Sequence, residues 1–447
     1  MADIRCTRLD DWDSNTCGRW TWQHPISGEP EAMSKPTVHI IGSGISGLRC
    51  AEMLLEFGLE VKIYEKSEKI GGRMRTDLVD GFLLDRGFHV MQTGYPHSKS
   101  KIDFKALDAR SFNPGARIVN IAGGKPRIST YADPFRRPLS SLRLLGAERW
   151  SDLIGMAKMR ISLSRMDIKN TFNQGDASTY EYLRSFGLSD SFIDRLLRPL
   201  FAGIFLESKL DTSERLFRFI FSSMSKGDMV LPRDGVAAYP NYLAKSIGFE
   251  RISLSTSAHA DDPVTINIGG HRKIVDQVVV AHTPPSEEKL MRGVWTVYFD
   301  SPRSPFPGKF LLLNGDYEIG KNAIAHMAVP SDVQPSYAPE GRSLVVATIV
   351  GDAADSLNLS NGKEIESRAR KEIEQWFPDC ENWNTLDVQY ISAALPSHGA
   401  GTDLSYSKSF DENGIIYCGD HIAHATMQGA INSAESAAKE AIRRILT

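Results

Sequence analysis

No run of 18 or more apolar residues occurs in this 447-residue chain, so no stretch can cross a bilayer as a helix. Cysteine is scarce. Cys6, Cys17, Cys50, Cys380 and Cys418 are odd in number and show neither a Cys-x-x-Cys pair nor metal-ligand spacing. That argues against a disulfide framework and a metal site, and predicts a reducing, cytoplasmic compartment. Charge of one sign is lacking too: 52 Lys and Arg against 55 Asp and Glu leave a net charge of −3, without a Lys/Arg stripe, which excludes nucleic acid as an expected partner. There is no internal repeat and no low-complexity tract. The first 32 residues carry Asp3, Asp10, Asp11, Asp13, Glu29 and Glu31, the wrong charge for a signal or transit peptide. Residues 1–35 read as a disordered extension. Met33 is an alternative start, and Trp12, Trp20 and Trp22 leave open a docking segment.

What is present is enough for a large core and two domains, with 41% hydrophobic and 24% charged residues. The densest information lies in residues 38–76. Val38-His39-Ile40-Ile41 reads as a buried parallel strand, and Gly42-Ser43-Gly44-Ile45-Ser46-Gly47 as the turn into a helix. Gly42 allows the tight turn, Gly44 lets backbone approach a pyrophosphate, and Gly47 lets the helix pack on the strand, so phosphates meet the positive end of a helix. That helix carries Leu48, Ala51, Leu54 and Leu55 on one face and stops near Gly58; Leu59–Tyr64 is a second strand that delivers Glu65. Glu65 stands 23 residues after Gly42, where an acid accepts hydrogen bonds from the adenosine ribose and repels a 2′-phosphate, disfavouring NADP. Gly71-Gly72-Arg73 adds a second close backbone approach and a forked cation, which turns the reading toward FAD.

These residues resemble the N-terminus of the superfamily of FAD-dependent amine oxidases, protoporphyrinogen oxidases and carotenoid desaturases, in a less characterised bacterial and plant branch. Asp80-Gly81-Phe82, Asp85-Arg86-Gly87-Phe88-His89-Val90 and Tyr95-Pro96 are similar to a strand and turn that bring backbone near the flavin ring; the branch commonly has Gln at the place of His89. Leu231–Val236 resembles the return into the FAD domain, Arg251 to Ala260 the strand whose backbone meets the adenine at Ala258, and Val278–Ala281 a buried strand. Ile415–Asp420 with Met427-Gln428-Gly429-Ala430-Ile431 is similar to the last FAD motif, in which Asp420 reaches the ribityl or pyrophosphate region and a helix N-terminus, with Met427 and Gly429, faces the flavin's pyrimidine edge.

The resemblance implies an α/β fold: a Rossmann-type FAD-binding domain of the glutathione-reductase-like βαβ kind, with a discontinuous α+β substrate domain. The FAD domain is expected from 36–98, 226–282 and 386–447, with all its motifs in one sheet, and the substrate domain from 99–225 and 283–385. Helices are expected over Ser141–Met166, Ser178–Leu188 and Leu210–Ser225, and strands within 292–350. Leu196–Leu206 is an apolar run that reads as core, the alternatives being a greasy substrate tunnel or peripheral membrane contact; Pro199 and Gly203 suggest a bend there.

A flavin takes a hydride equivalent from a C–H bond without needing a protein acid, base or nucleophile, so no catalytic residue is assigned. His89, His282, His398, His421 and His424 are candidates for proton handling, each with a packing or surface role as the plainer reading. Many amine oxidases of the superfamily hold a substrate-domain Lys near the flavin, and the position it would take falls on Val294 or Trp295 here. The expected function is therefore FAD-dependent dehydrogenation or desaturation of a small apolar substrate, isoprenoid-like for example. The alternatives are an amine oxidase releasing peroxide, or a flavoprotein whose FAD is structural or serves a non-redox isomerisation. No second GxGxxG with strand and helix flanks occurs, so electrons would leave to oxygen, a quinone or another acceptor.

Overall fold

A computed structural model describes residues 35–132, 136, 149–173 and 175–447. The N-terminal extension with Cys6, Cys17 and its tryptophans lies outside the described residues, as does the start of the helix expected from Ser141. Contacts divide the chain into two compact units: the described residues up to Arg75 with Tyr239–Ser286 and Leu404–Thr447, and Thr76–Ala238 with Glu287–Asp403.

The first unit is built on a six-stranded sheet in the order Ile252–Ser253, Glu60–Tyr64, Thr37–Ile41, Gln277–Val280, Ile415–Tyr417 and Phe410–Glu412, parallel except for the last pair. Its central strands are buried almost throughout, His39 and Gln277 included, because both faces are covered. The helix Ile45–Phe57 makes the crossover between the first two strands and ends on Gly58, which takes the left-handed conformation at φ 103°. The closing helix Met427–Leu446 packs on it through Ala434, Ala437, Ala438 and Ala441, all fully buried; small side chains on one stripe let the axes approach. Arg49 fastens the pair. Its buried guanidinium reaches Glu52 at 2.6 Å and Glu435 at 2.8 Å, and burial, which would lower its basicity, is more than offset by the two carboxylates.

The second unit is built on a seven-stranded sheet in the order Asn384–Pro396, Met291–Ser301, Ser343–Val350, Ile324–Ala328, Leu311–Asn314, Gly115–Ala122 and Lys125–Ala132, antiparallel apart from the pairing of Leu311–Asn314 with Gly115–Ala122. Alternation along the strands makes two cores. Val297, Phe299, Val345, Ala347 and Met327 meet the amphipathic helix Gly362–Trp376 through Ile365, Ala369 and Ile373. Tyr298, Leu344, Val346 and Ala328 face the other way, toward Phe82, Leu84, Phe112 and Tyr337.

Several further elements are helices. Ser178 caps Thr179–Ser185 with a complete capping box to Glu181, and Ser213 caps Glu214–Lys226. Within Leu196–Leu206, Leu197, Pro199, Phe201, Ala202 and Phe205 are buried, as a core reading requires, while Leu196, Leu200, Gly203 and Ile204 are half-buried. The expected bend is instead a change of helical winding: a π-turn over Ile193–Leu197 leads straight into the α-helix Arg198–Phe205, with Pro199 as the second residue of the latter.

One expectation fails. The motifs do not all share a sheet, because Thr76–Val79 and Phe82–Asp85 pair only with each other across the Asp80-Gly81 turn, and Met91–Gln92 joins Met229–Leu231 in a third small sheet. Asp85 fixes the hairpin. Its buried carboxylate accepts from Thr76 Oγ1 (2.6 Å), Tyr337 Oη (2.7 Å) and the Val236 amide (3.0 Å), while Tyr298 Oη donates to its carbonyl oxygen and accepts from the Gly87 amide at 3.0 Å. Burial raises the Asp85 carboxyl to about 6 despite these donors.

Because the folded state then holds that proton more tightly than the unfolded chain, Asp85 contributes stability that is lost as pH rises from about 4 to about 6. Urea melts of the wild type and Asp85→Asn should show their stability difference changing by on the order of 3 kcal/mol between pH 4 and pH 7. A difference independent of pH would show that the carboxyl is not raised.

Candidate cofactor site

The carboxyl ends of Thr37–Ile41 and Gln277–Val280 lie side by side where the strand order reverses, since Glu60–Tyr64 flanks the first strand on one side and Gln277–Val280 on the other. In open α/β sheets a crevice opens at this point and takes ligands. Gly42 turns the chain there at φ 105°, its amide donating to the Tyr64 carbonyl at 2.8 Å, and a Cβ would stand 3.1 Å from the Ala281 carbonyl oxygen. At Gly44 a Cβ would meet nothing within 4 Å, so the space beside this residue is open. The helix that starts at Ile45 has no side-chain cap. Gly47 does more than the packing expected of it: its Cβ would fall 1.9 Å from the Gly42 carbonyl oxygen, so the turn itself closes only over a glycine.

The second glycine pair docks onto the first. Gly71 donates its amide to the Ser43 carbonyl at 2.9 Å, and a Cβ on Gly72 would lie 3.3 Å from the Gly44 Cα. Arg73 Nη2 meets Asp420 Oδ1 at 2.5 Å, joining two motifs that are 347 positions apart; the Arg73 side chain is 35% exposed and the Asp420 side chain 7%. Burial would lower the guanidinium's basicity, but Asp420 more than restores it. Ser46 Oγ donates to the Ala430 carbonyl at 3.1 Å and so ties the opening helix to the first turn of the closing one. That closing helix is capped by Thr426, whose hydroxyl accepts from the Gly429 amide at 3.0 Å. Met427, its first residue, is half-buried, and a Cβ on Gly429 would lie 2.0 Å from the His424 carbonyl oxygen.

Glu65 is buried, and its carboxylate is engaged by protein donors. Oε2 accepts from the Ser43 amide (2.9 Å) and Ser43 Oγ (2.8 Å), and Oε1 from the Ser67 amide (2.9 Å) and Ser67 Oγ (2.6 Å). Burial alone would raise this carboxyl; the hydrogen bonds from Ser67 and Ser43 outweigh it and hold Glu65 below the usual carboxylate range. Sequence reasoning missed both serines, whose only signal was adjacency to Gly42 and to Glu65.

The single strand expected over 251–260 is two strands. Ile252–Ser253 extends the parallel sheet, Ser255 turns at φ 49°, and Ala258–Asp262 opens a separate antiparallel sheet in which Ala258 pairs with Ile268. Ala258 still packs against the core cluster that includes Ile41 and Tyr64. Of the candidate histidines, His282 is exposed, His89 and His421 are half-buried, and His398 and His424 are buried. Cys50 and Cys418 are fully buried free thiols, the former pushed up to about 12 by burial. Among the described residues no helix is long and apolar enough to cross a membrane, and no group of His, Cys, Asp or Glu has the arrangement of a metal site.

A family model described as flavin-containing amine oxidoreductase matches residues 45–442. The chain belongs to that family. Its cofactor is accordingly a flavin. Protoporphyrinogen oxidase 2 of Arabidopsis thaliana is 28% identical over 179 residues, 39% of this chain and 33% of the relative, and carotenoid phi-ring synthase of Streptomyces griseus is 38% identical over 171 residues, 37% and 32% of the two chains. The matched segments thus span about a third of these relatives. Cyclohexylamine oxidase from Brevibacterium oxydans shares the fold, with a TM-score of 0.65 and 15% identity over 92% of this chain and all of the other.

Two alanine substitutions separate the roles of these glycines. Gly47→Ala should lower the stability of the apoprotein by roughly 2–4 kcal/mol, the range for a forced backbone shift. Gly44→Ala, facing open space, should cost less than about 1 kcal/mol. Thermal melts of flavin-free protein check both, and equal losses would contradict the geometry.

Proposed function

We propose that the first unit is the FAD-binding domain and that the protein uses FAD to dehydrogenate or desaturate an apolar carbon framework. On this reading the domain's segments are narrower than 36–98, 226–282 and 386–447, ending near Arg75, Ser286 and the C-terminus, and the second unit is the substrate domain.

The residues of the crevice fit FAD. The open space beside Gly44 and the uncapped helix that begins at Ile45, with Ser46 and Gly47 in its first turn, suit a pyrophosphate. Arg73, kept cationic by Asp420, supplies a forked donor for the same group, with Gly72 leaving the backbone room to approach. Glu65, kept ionised by Ser43 and Ser67, suits ribose hydroxyls, which would share its oxygens with the serine hydroxyls. Its charge disfavours a 2′-phosphate. Ala258, Asp420, Met427 and Gly429 complete the assignment, with the amides of the closing helix available to a charge-accepting ring edge. When bound, FAD supplies a two-electron acceptor for a C–H bond.

The observation that carries the apolar-substrate reading is the strand Met291–Ser301. It has no lysine; Val294 is buried, Trp295 stacks on Tyr390 at 4.5 Å between ring centroids, and the strand's one cation, Arg292, is engaged by the Phe205 carbonyl (2.7 Å) and Thr212 Oγ1 (2.8 Å). The lysine that serves many amine oxidases of the family has no counterpart there. Similarity to a carotenoid phi-ring synthase supports the same reading.

The purified protein should be yellow, and anaerobic addition of an apolar isoprenoid should bleach its flavin absorbance while a panel of primary and secondary amines leaves it unchanged. Amine-dependent bleaching with peroxide release in air would favour an amine oxidase. Gly44→Val, filling the open space, should weaken flavin retention at least about tenfold, roughly 1.4 kcal/mol, measured as flavin content after gel filtration.

A further inference from the structure

One face of the seven-stranded sheet, apolar along Tyr298, Leu344, Val346 and Ala328, changes character two residues further along each strand. The register sets Thr296 opposite Thr348 and Thr348 opposite His326, so three polar side chains stand in one row across three adjacent strands. They are 0%, 3% and 5% exposed. No well-formed hydrogen bond reaches either threonine hydroxyl or either ring nitrogen of His326; the polar neighbours are the Pro199 carbonyl beside the imidazole and Tyr298 Oη beside Thr296. A buried polar group without a partner is rare, and three in one row destabilise the fold without any return from within it.

The surroundings are shaped to keep the imidazole. Gly203 lies in the middle of the helix Arg198–Phe205, a position where glycine weakens a helix, and a Cβ there would stand 1.9 Å from His326 Cε1. The π-turn Ile193–Leu197 precedes that helix, and such turns are frequent at functional sites. Phe88 presents its ring to His326 at 5.7 Å between centroids, and Phe88, Leu196 and Leu200 are half-buried on the same core cluster. Burial lowers the imidazole to about 4, more than the Pro199 carbonyl raises it, so the ring is neutral at pH 7 with one donor and one acceptor nitrogen. Each threonine hydroxyl likewise both donates and accepts. An ion brought to this row would find no opposite charge among the three, whereas a neutral oxygen would satisfy them.

We propose that Thr296, Thr348 and His326 form a binding site for one neutral oxygen function, a hydroxyl or a carbonyl, of an otherwise apolar ligand. The site rests on the reading of the substrate as apolar and narrows it: the substrate is an oxygenated apolar molecule, neither a bare hydrocarbon nor an amine. His326 and the threonines are positioning residues that orient the ligand through its oxygen, and Gly203 with the π-turn holds open the place for the ring.

The test is calorimetric titration of the FAD-loaded wild type, Thr348→Val, Thr296→Val and His326→Leu with butylbenzene, phenylbutanol, phenylbutanone and phenylbutylamine. The wild type should bind the alcohol or the ketone at least about fivefold tighter than butylbenzene, the scale of one neutral hydrogen bond. Thr348→Val and His326→Leu should bring that ratio to about one while butylbenzene binding is kept. Because the hydroxyls make no well-formed hydrogen bond, the threonine-to-valine variants should also leave Tm unchanged or raise it by about 2 °C. A wild-type ratio of one with butylbenzene still bound, a ratio that survives the substitutions, or a fall of several degrees in Tm for both valine variants would each overturn the site and leave the apolar reading standing. Binding of phenylbutylamine without butylbenzene would overturn both.

Discussion

The carboxylate of Glu65 is the joint on which the cofactor crevice depends. It sits at the tip of the second strand and takes the amide and hydroxyl of Ser43 on one oxygen and those of Ser67 on the other. The first pair locks the glycine turn to the neighbouring strand. The second pair holds the chain that leads on to Gly71 and Gly72, and the Gly71 amide returns to the Ser43 carbonyl to close the circuit. The backbone of Glu65 extends the same joint outward, its amide donating to Ser253 and its carbonyl accepting from Thr256, which fixes the sheet edge. A charged acceptor with four donors is a strong and directional arrangement, so removing it would loosen three loops together.

In the second unit the equivalent constraint is the buried carboxyl of Asp85. It joins a hairpin, a strand and two loops through Thr76, Tyr337 and Val236, with the Asp85 backbone meeting Tyr298, and each of those partners comes from a different part of the sequence. Polar groups there are fully met. A few residues away, on the same face of the sheet, the hydroxyls of Thr296 and Thr348 and the ring nitrogens of His326 lack well-formed hydrogen bonds. One polar set is completed by the fold and its neighbour is left open, which is the contrast expected between a structural network and a place for a ligand.

Several features were legible in the sequence because they are local. A strand, turn and helix in succession with glycines at fixed offsets form one contiguous unit, and Ile41 through Phe57 folds as its pattern implies. The capping box at Ser178 is local in the same sense. Boundaries were less legible where the chain turns without glycine or proline, as at Ser255, whose positive φ splits one expected strand between two sheets. Gly203 was misread as a bend because its reason is a ring on another strand, at position 326. The serines on Glu65 went unnoticed since a lone serine beside a glycine carries no pattern.

The sequence by itself determined the α/β class, the glycine turn with its acid, and the family, since these depend on spacing along the chain. Only the tertiary structure decided that Arg73 meets Asp420, that Glu65 is already engaged by serines, and that Thr296, Thr348 and His326 share a row. The physical reason is range. Backbone conformation and helix capping are set by residues within a few positions, whereas hydrogen bonds between distant segments, and the absence of such bonds, come into being only when strands align in register.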